Sequence, residues 1–433
     1  MEKSTKLLQT IALGLLIVLS VMMITALIFL NVEEKMKYVG KGDEISLFGM
    51  GEFVLSEMQV SSDDVVANPE GETPDLYMDA MLNARDWEVR KQAGLTNASI
   101  LTAMKSFPNR YAYSILTPEQ QQLYAEMYLV LANYQSNVPL CSNSLNEIKF
   151  IAECIYADSP ELFYHSGYEY ISCKDGSDVV KVNFSPVYSM SQTDVSAMQG
   201  YINNYVANCL AGIDTDADAY TKVKYLFEYL IINTEYDETV EFNQTICSVA
   251  ISGRTVCLGY ARMMQYLLQE LDIEAAVVLG HTNDGVSHAW NLIKLGNAYY
   301  YVDPTWGDRS YRTSEDTQAQ SMINYEYLCI TSDELAATHT ATTIVPLPRC
   351  VFQQDNYYVR EGKYITSIEP QQFATAFSTS SYGIMSIKCQ NRQVYDAVRK
   401  YLIDEGNLYQ YINSQDGVQY AENPDMYTYT FFQ

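Results

Sequence analysis

Positive charge is scarce in this 433-residue chain. Only 27 Lys and Arg stand against 53 Asp and Glu, a formal net charge of −26. A surface so acidic repels a phosphate backbone over long range, which excludes a nucleic-acid partner. Charged residues of either sign make up only 18% of the sequence, while tyrosine alone numbers 37. The surface is therefore expected to carry many hydroxyl and amide groups beside its ions. Nine cysteines, at 141, 154, 173, 209, 247, 257, 329, 350 and 389, form no CxxC pair and no Cys/His cluster at zinc-finger spacing. No metal and no cofactor is expected on that basis, and the odd count leaves at least one thiol unpaired even where disulfides are permitted. Asp214, Asp216 and Asp218 alternate like the start of a calcium loop, but Ala219 and Tyr225 stand where an EF-hand needs Gly and Glu. These carboxylates suit the positive end of the helix that follows instead, whose apolar stripe is Tyr220, Val223, Phe227, Leu230 and Ile231. Internal repeats and low-complexity blocks are lacking as well.

What is present is a chain that is 48% hydrophobic, long enough for two to three domains with packed cores. Its most apolar run, Leu7 to Leu30, is 24 residues without a charge, enough to span a bilayer as a helix. No small-residue cleavage point follows at Phe29-Leu30-Asn31-Val32-Glu33-Glu34, so the run reads as an uncleaved signal anchor with the short amino tail inside and the rest outside. Residues 1–31 are thus the cytoplasmic tail and transmembrane anchor, and 32–110 a tether and irregular region rich in turn residues. Residues 111–200 form a small α+β domain. Within it Thr117-Pro118-Glu119-Gln120 opens a helix from about 118 to 134, a second helix runs from Leu145 to Tyr156, and strands fall at Tyr168–Ile171 and Val179–Phe184. Residues 201–310 carry the chemistry. Residues 311–433, including a helix predicted from Val394 to Glu405, have no assigned role.

Between Gln244 and Asp308 the pattern becomes chemically specific. Gly253 to Tyr260 ends a turn and opens a helix with Ala261, Met264, Leu267, Leu268 and Leu271 on its apolar side, which puts Cys257 at a helix N-terminus. Exposed backbone N–H groups and the positive dipole end there favour the nucleophilic thiolate. Strands are expected at Ala275–Leu279, at Ser287–Leu295 and at Ala298–Val302, the last two joined by a tight turn at Gly296-Asn297. His288 and Asp303 lie at similar distances from that turn, so both come to the same end of one antiparallel hairpin. A Cys nucleophile, a His that takes its proton and a carboxylate that holds the ring make up an acyl-transfer constellation. The chain has only four histidines. His281 reads as a solvated loop residue, and His165 and His339 as residues without catalytic company.

The segments Val256-Cys257-Leu258-Gly259-Tyr260-Ala261, His288-Ala289-Trp290-Asn291 and Tyr301-Val302-Asp303-Pro304-Thr305-Trp306 resemble the transglutaminase-like superfamily, whose core carries Cys, His and Asp in that chain order. The resemblance is firm over Gln244 to Asp308. It implies an α+β, papain-like transglutaminase core, a Cys helix packed on an antiparallel sheet, here with an N-terminal transmembrane helix and flanking α+β regions. The flanks look like those of secreted or membrane-anchored bacterial members. The resemblance also implies catalytic roles for Cys257, His288 and Asp303, and offers Gln244, 13 residues before Cys257, as an oxyanion donor. Cross-linking members carry Trp directly after the nucleophile, where this chain has Leu258. A hydrolytic peptidase or amidase acting on peptides or proteins, cell-wall peptides among them, is therefore expected over a cross-linking enzyme. The alternative is a catalytically silent surface module that keeps the fold for binding.

Overall fold

The computed structural model describes residues 54–71, 76–308, 323–378, 384–412 and 417–432. The expected membrane anchor at 7–30 lies outside these residues; among the described residues no helix is long and apolar enough to cross a membrane.

The described residues build three larger sheets and a two-stranded ribbon, in chain order. The first sheet holds β1 (Val54–Gln59), β2 (Val138–Pro139), β3 (His165–Asp175) and β4 (Asp178–Tyr188) in the order β1-β3-β4-β2. β3 and β4 form a long hairpin closed at Gly176, whose φ of 63° suits a residue without Cβ. β1 adds to the outer edge of β3 in parallel, with Val54 opposite Glu169. The ribbon pairs β5 (Glu235–Tyr236) with β6 (Arg254–Thr255). The second sheet is antiparallel throughout. Its order is β10-β9-β8-β7-β11, from β7 (Ala275–Thr282), β8 (Ser287–Leu295), β9 (Ala298–Val302), β10 (Leu328–Ile330) and β11 (His339–Ala341). The third, in the order β12-β13-β15-β14, is made of β12 (Tyr364–Ile365), β13 (Ile384–Cys389), β14 (Gln419–Asn423) and β15 (Thr428–Phe432).

Helices cover these sheets. In the region expected to be tether and irregular chain, α1 (Ala84–Gln92) and α2 (Asn97–Met104) are regular helices. Their starts are the capping boxes Asn83/Asp86 and Thr96/Ser99, which lack the Glu or Gln that marks such a box in sequence and so read as turn residues. Arg90 of α1 is buried and grips Glu126 through two bonds of 2.9 and 2.8 Å, which fastens this region to the molecule. Glu126 belongs to α4 (Pro118–Ala132), which follows the one-turn α3 (Tyr111–Ser114) and begins at the anticipated Thr117/Gln120 box with Pro118 in its first turn. α5 (Leu145–Asp158) also lies where the sequence puts it. α6 (Gln192–Leu210) does not respect the expected boundary between residues 200 and 201, because one continuous helix crosses it. The boundary at 310 fails too, since β10 and β11 complete the second sheet from beyond it.

Asp218 caps α7 (Ala219–Ile232) by accepting from Thr221 N at 2.8 Å, the role foreseen for the acidic run, and the stripe of Tyr220, Val223, Phe227, Leu230 and Ile231 is buried. After α8 (Ile246–Ser252), α9 (Cys257–Gln269) packs on β7 and β8 and is buried along most of its length. Its Leu267 and Leu268 are wholly enclosed, each worth about 1.5–3 kcal/mol of transfer free energy. One continuous core joins the first and second sheets, from Ala93 to Met426. A second core, including Ile365, Phe373, Tyr395 and Phe431, lies within the third sheet and its helices. The helix expected at Val394–Glu405 begins as Arg392–Val398 and relaxes into a π-type turn over Arg399–Asp404, with Tyr395, Val398 and Leu402 still facing that core.

Candidate active site

Cys257 opens α9. Its flank is extended at Val256, and no side chain caps the helix, so the first-turn N–H groups remain for a negative charge at the thiol end. All nine cysteines are free thiols; eight are buried and Cys257 alone is partly exposed. Two contacts hold the preceding turn against this helix start. Thr255 Oγ1 donates to Asn243 O at 2.6 Å, and Val256 N donates to the same carbonyl at 3.2 Å. Both lie directly against Gly259, where a Cβ would collide with the Thr255 hydroxyl and the Asn243 carbonyl. Glycine at this position therefore lets the turn that bears Gln244 pack against the start of the Cys257 helix. Gln244 itself is exposed, and its amide makes no hydrogen bond among the described residues.

His288 stands on β8 opposite Gly280 of β7, and the turn at Gly296-Asn297 brings β9 back so that Asp303 follows its end. The expected meeting occurs: His288 Nε2 lies 2.7 Å from Asp303 Oδ2, with both residues nearly fully buried. The Cys257 thiol lies near enough to the His288 ring to act on its charge, and with Nε2 engaged by Asp303 the nitrogen left free to meet it is Nδ1. Burial alone would push the His288 imidazole down. The Asp303 charge and hydrogen bond, helped by Cys257, outweigh it and raise the ring to about 10. Asp303 is likewise buried, which disfavours its charge, yet His288 and His339 together hold it well below the usual carboxylate range.

Asp303 also does local work. It is the N-cap of the short helix α10 (Pro304–Gly307): Oδ1 accepts from Trp306 N at 3.1 Å, and its own backbone N–H donates to Tyr327 O at 3.0 Å. α9 is tied to β8 by Asn291 Nδ2, which donates to Ala261 O at 2.8 Å, and to the end of α10 by Tyr260 OH, which donates to Asp308 Oδ2 at 2.8 Å.

His339 corrects the sequence reading. Far from lacking company, it is buried beside the pair, with Nε2 at 3.2 Å from the same Asp303 Oδ2. It lies 36 residues beyond Asp303 in the chain, and no local pattern marks it. The one hint is Gly280, where a Cβ would strike Thr340 O of β11 and the Trp290 ring, so that only glycine admits β11 and its histidine. His281, expected in a solvated loop, is instead part of β7, paired with Ser287 and Thr340. His165 is buried against Tyr168 OH at 3.1 Å, away from this cluster. Donor atoms of His288, Asp303 and His339 fall within 4.8 Å of one another, but the shared carboxylate oxygen already serves both imidazoles, so the cluster is satisfied as a hydrogen-bonded chain. Surface cavities of about 330 Å³ beside Trp87 and about 380 Å³ beside Tyr364 are lined by none of these side chains.

Residues 204–304 match the model of the transglutaminase-like superfamily. No curated protein matches the chain. Among solved structures, a TGase is similar at 13% identity over 35% of this chain and 53% of that one, with a TM-score of 0.25. A cysteine-protease candidate from Cytophaga hutchinsonii is similar at 15% identity over 29% of this chain and 52% of its own, with a TM-score of 0.22. The periplasmic domain of TgpA from Pseudomonas aeruginosa, bound to ethylmercury, is similar at 16% identity over 31% of this chain and 59% of that one, with a TM-score of 0.20. The chain thus spans little more than half the length of each of these structures.

Proposed function

Residues 204–304 form a transglutaminase-like domain, and from that premise we propose that the protein is a thiol acyl-transfer enzyme acting on amide bonds of peptides or proteins. The observation that carries this reading is a partly exposed thiol at a helix start, near an imidazole whose Nε2 is held 2.7 Å from a buried carboxylate. The Cys257 thiolate attacks the amide carbonyl, and His288 then gives its proton to the departing amine, which leaves a thioester on sulfur. Water adds to that thioester, His288 takes a proton from it, and the acid product leaves with the thiolate restored. The uncapped N–H groups at the start of α9 and the exposed Gln244 amide are the donors proposed for the oxyanion. Hydrolysis is proposed over cross-linking because Leu258 replaces the tryptophan that follows the nucleophile in cross-linking members.

Turnover on a panel of wall peptides and denatured proteins tests the reading. Cys257→Ala and His288→Ala are expected to be inactive but folded, Asp303→Asn to keep a trace, and Gln244→Ala to lose roughly 10²–10³-fold. A well-folded Cys257→Ala with full biological activity hands the site to the alternative, a binding module.

The apolar run at 7–30 is proposed to anchor the molecule in a cell membrane with everything after Val32 outside. Protease added to intact cells should then remove the carboxyl terminus; protection until lysis contradicts that topology.

A further inference from the structure

We propose that His339 is a positioning residue of this site: it pins the Asp303 carboxylate that orients His288, which extends the chain of contacts to Cys257–His288–Asp303–His339. The inference rests on the acyl-transfer reading above and adds a residue that lies 35 positions past the matched domain's end at 304.

The hydrogen bonds assign the tautomer. An ionised carboxylate only accepts, so His339 Nε2, 3.2 Å from Asp303 Oδ2, carries the proton and donates. In the neutral ring Nδ1 then accepts, with Thr338 Oγ1 as donor 2.7 Å away, closer than the 3.4 Å to the Leu335 carbonyl that competes for that hydroxyl. Tyr327 OH donates in turn to Thr338 Oγ1 at 3.3 Å. The relay runs from Tyr327 through Thr338 and His339 to Asp303 with every donor matched to an acceptor.

Three donors from three separate elements therefore converge on one carboxylate. His288 of β8 and His339 of β11 share Oδ2, and Trp306 N of α10 holds Oδ1. With His288 and Trp306 alone, the second lone-pair direction on Oδ2 would be open and the carboxylate could swing with the imidazole; the second histidine closes it. His339 has little freedom of its own. Its ring centroid lies 4.4 Å from that of Trp306, 5.0 Å from that of Trp290, 5.6 Å from that of Tyr327 and 5.2 Å from that of His288. The titratable groups that face it are Asp303, His288 and Tyr327.

The test needs no substrate. In the full-length protein, the rate of Cys257 alkylation by iodoacetamide is followed from pH 4 to 10 with peptide mass mapping. Thiolate held by imidazolium gives a reactive limb on the acid side, and that limb reports how well His288 is held. His339→Leu, which removes the donor, is expected to lower the acid limb roughly tenfold. His339→Gln, whose amide N–H can reach Asp303, should restore most of it, a rescue that mere core filling would not produce. Because His339→Leu disturbs a buried ring cluster, Thr338→Val serves as a milder second variant that removes the donor to Nδ1, and it too should weaken the limb. His288→Ala separates the two levels of the argument. If it leaves the profile unchanged, the acyl-transfer reading itself fails. If it abolishes the limb while folded His339→Leu and Thr338→Val both keep a wild-type profile, only the role given to His339 is overturned.

Discussion

Asp303 illustrates how much a single residue does here. One oxygen caps a helix, the other receives two imidazoles, and its backbone N–H anchors the chain to Tyr327. The pair it forms with His288 sets a pH signature. His288 is raised above its unfolded value, so its stabilising charge acts in full below about pH 6.5 and is lost as the pH climbs through about 10. Asp303 is depressed, so its contribution is present above about pH 4 and lost as the solution is acidified below that. The melting-temperature gap between wild type and His288→Gln is therefore expected to narrow steadily between pH 7 and 10. Melts across that range check it, and a constant gap would contradict an imidazolium held by Asp303. Cys257, His288 and Asp303 were legible in the sequence because each sits at the border of an element with a clear signature: a helix start, a strand start and the end of a hairpin. His339 was not, because its contact depends on a strand that arrives from elsewhere in the chain.

That arrival is an event between elements, and glycine controls it. Gly280 faces His288 across β7 and β8 and leaves no Cβ between β7, the Trp290 ring and the β11 backbone at Thr340. Gly280→Ala must move a backbone, which a flexible side chain cannot absorb, and a cost of about 1–3 kcal/mol is expected. Hydrogen exchange should show the effect first at the amides of β11, the short edge strand; unchanged protection there would show that β11 is held by other means. The same logic explains what could be read of the elements. The hairpin of β8 and β9 follows from alternation and its Gly296-Asn297 turn, and β8 and β9 fall at the anticipated residues. The helices α1 and α2 escaped notice because their caps are Asn/Asp and Thr/Ser pairs, and β1 because a parallel edge strand is recognisable only by the partner it finds.

Across the whole molecule, the third sheet is fastened next to the segment that delivers His339. Lys388 of β13 lies 3.1 Å from Glu334 Oε1, nearly buried, and donates to Met426 O at 2.9 Å. Glu326 of the 325–327 turn accepts from Asn423 Nδ2 at 2.9 Å and from Thr428 Oγ1. Removing one member of such an enclosed pair leaves the other charge without its partner, so Lys388→Met is expected to cost about 3 kcal/mol. Denaturant unfolding measures that; a loss within a few tenths would mean that Glu334 finds water instead. The two cores have a further consequence, for how the molecule comes apart. Because the first and second sheets share one continuous apolar interior from Ala93 onward, they have no seam along which half could melt alone. In a calorimeter they should absorb heat as one cooperative unit, with the Ile365–Phe431 core as the candidate among the described residues for a separate peak. The stretch 204–304, cut out by itself, would lose β10, β11 and the core residues on either side that its strands and helices fold against.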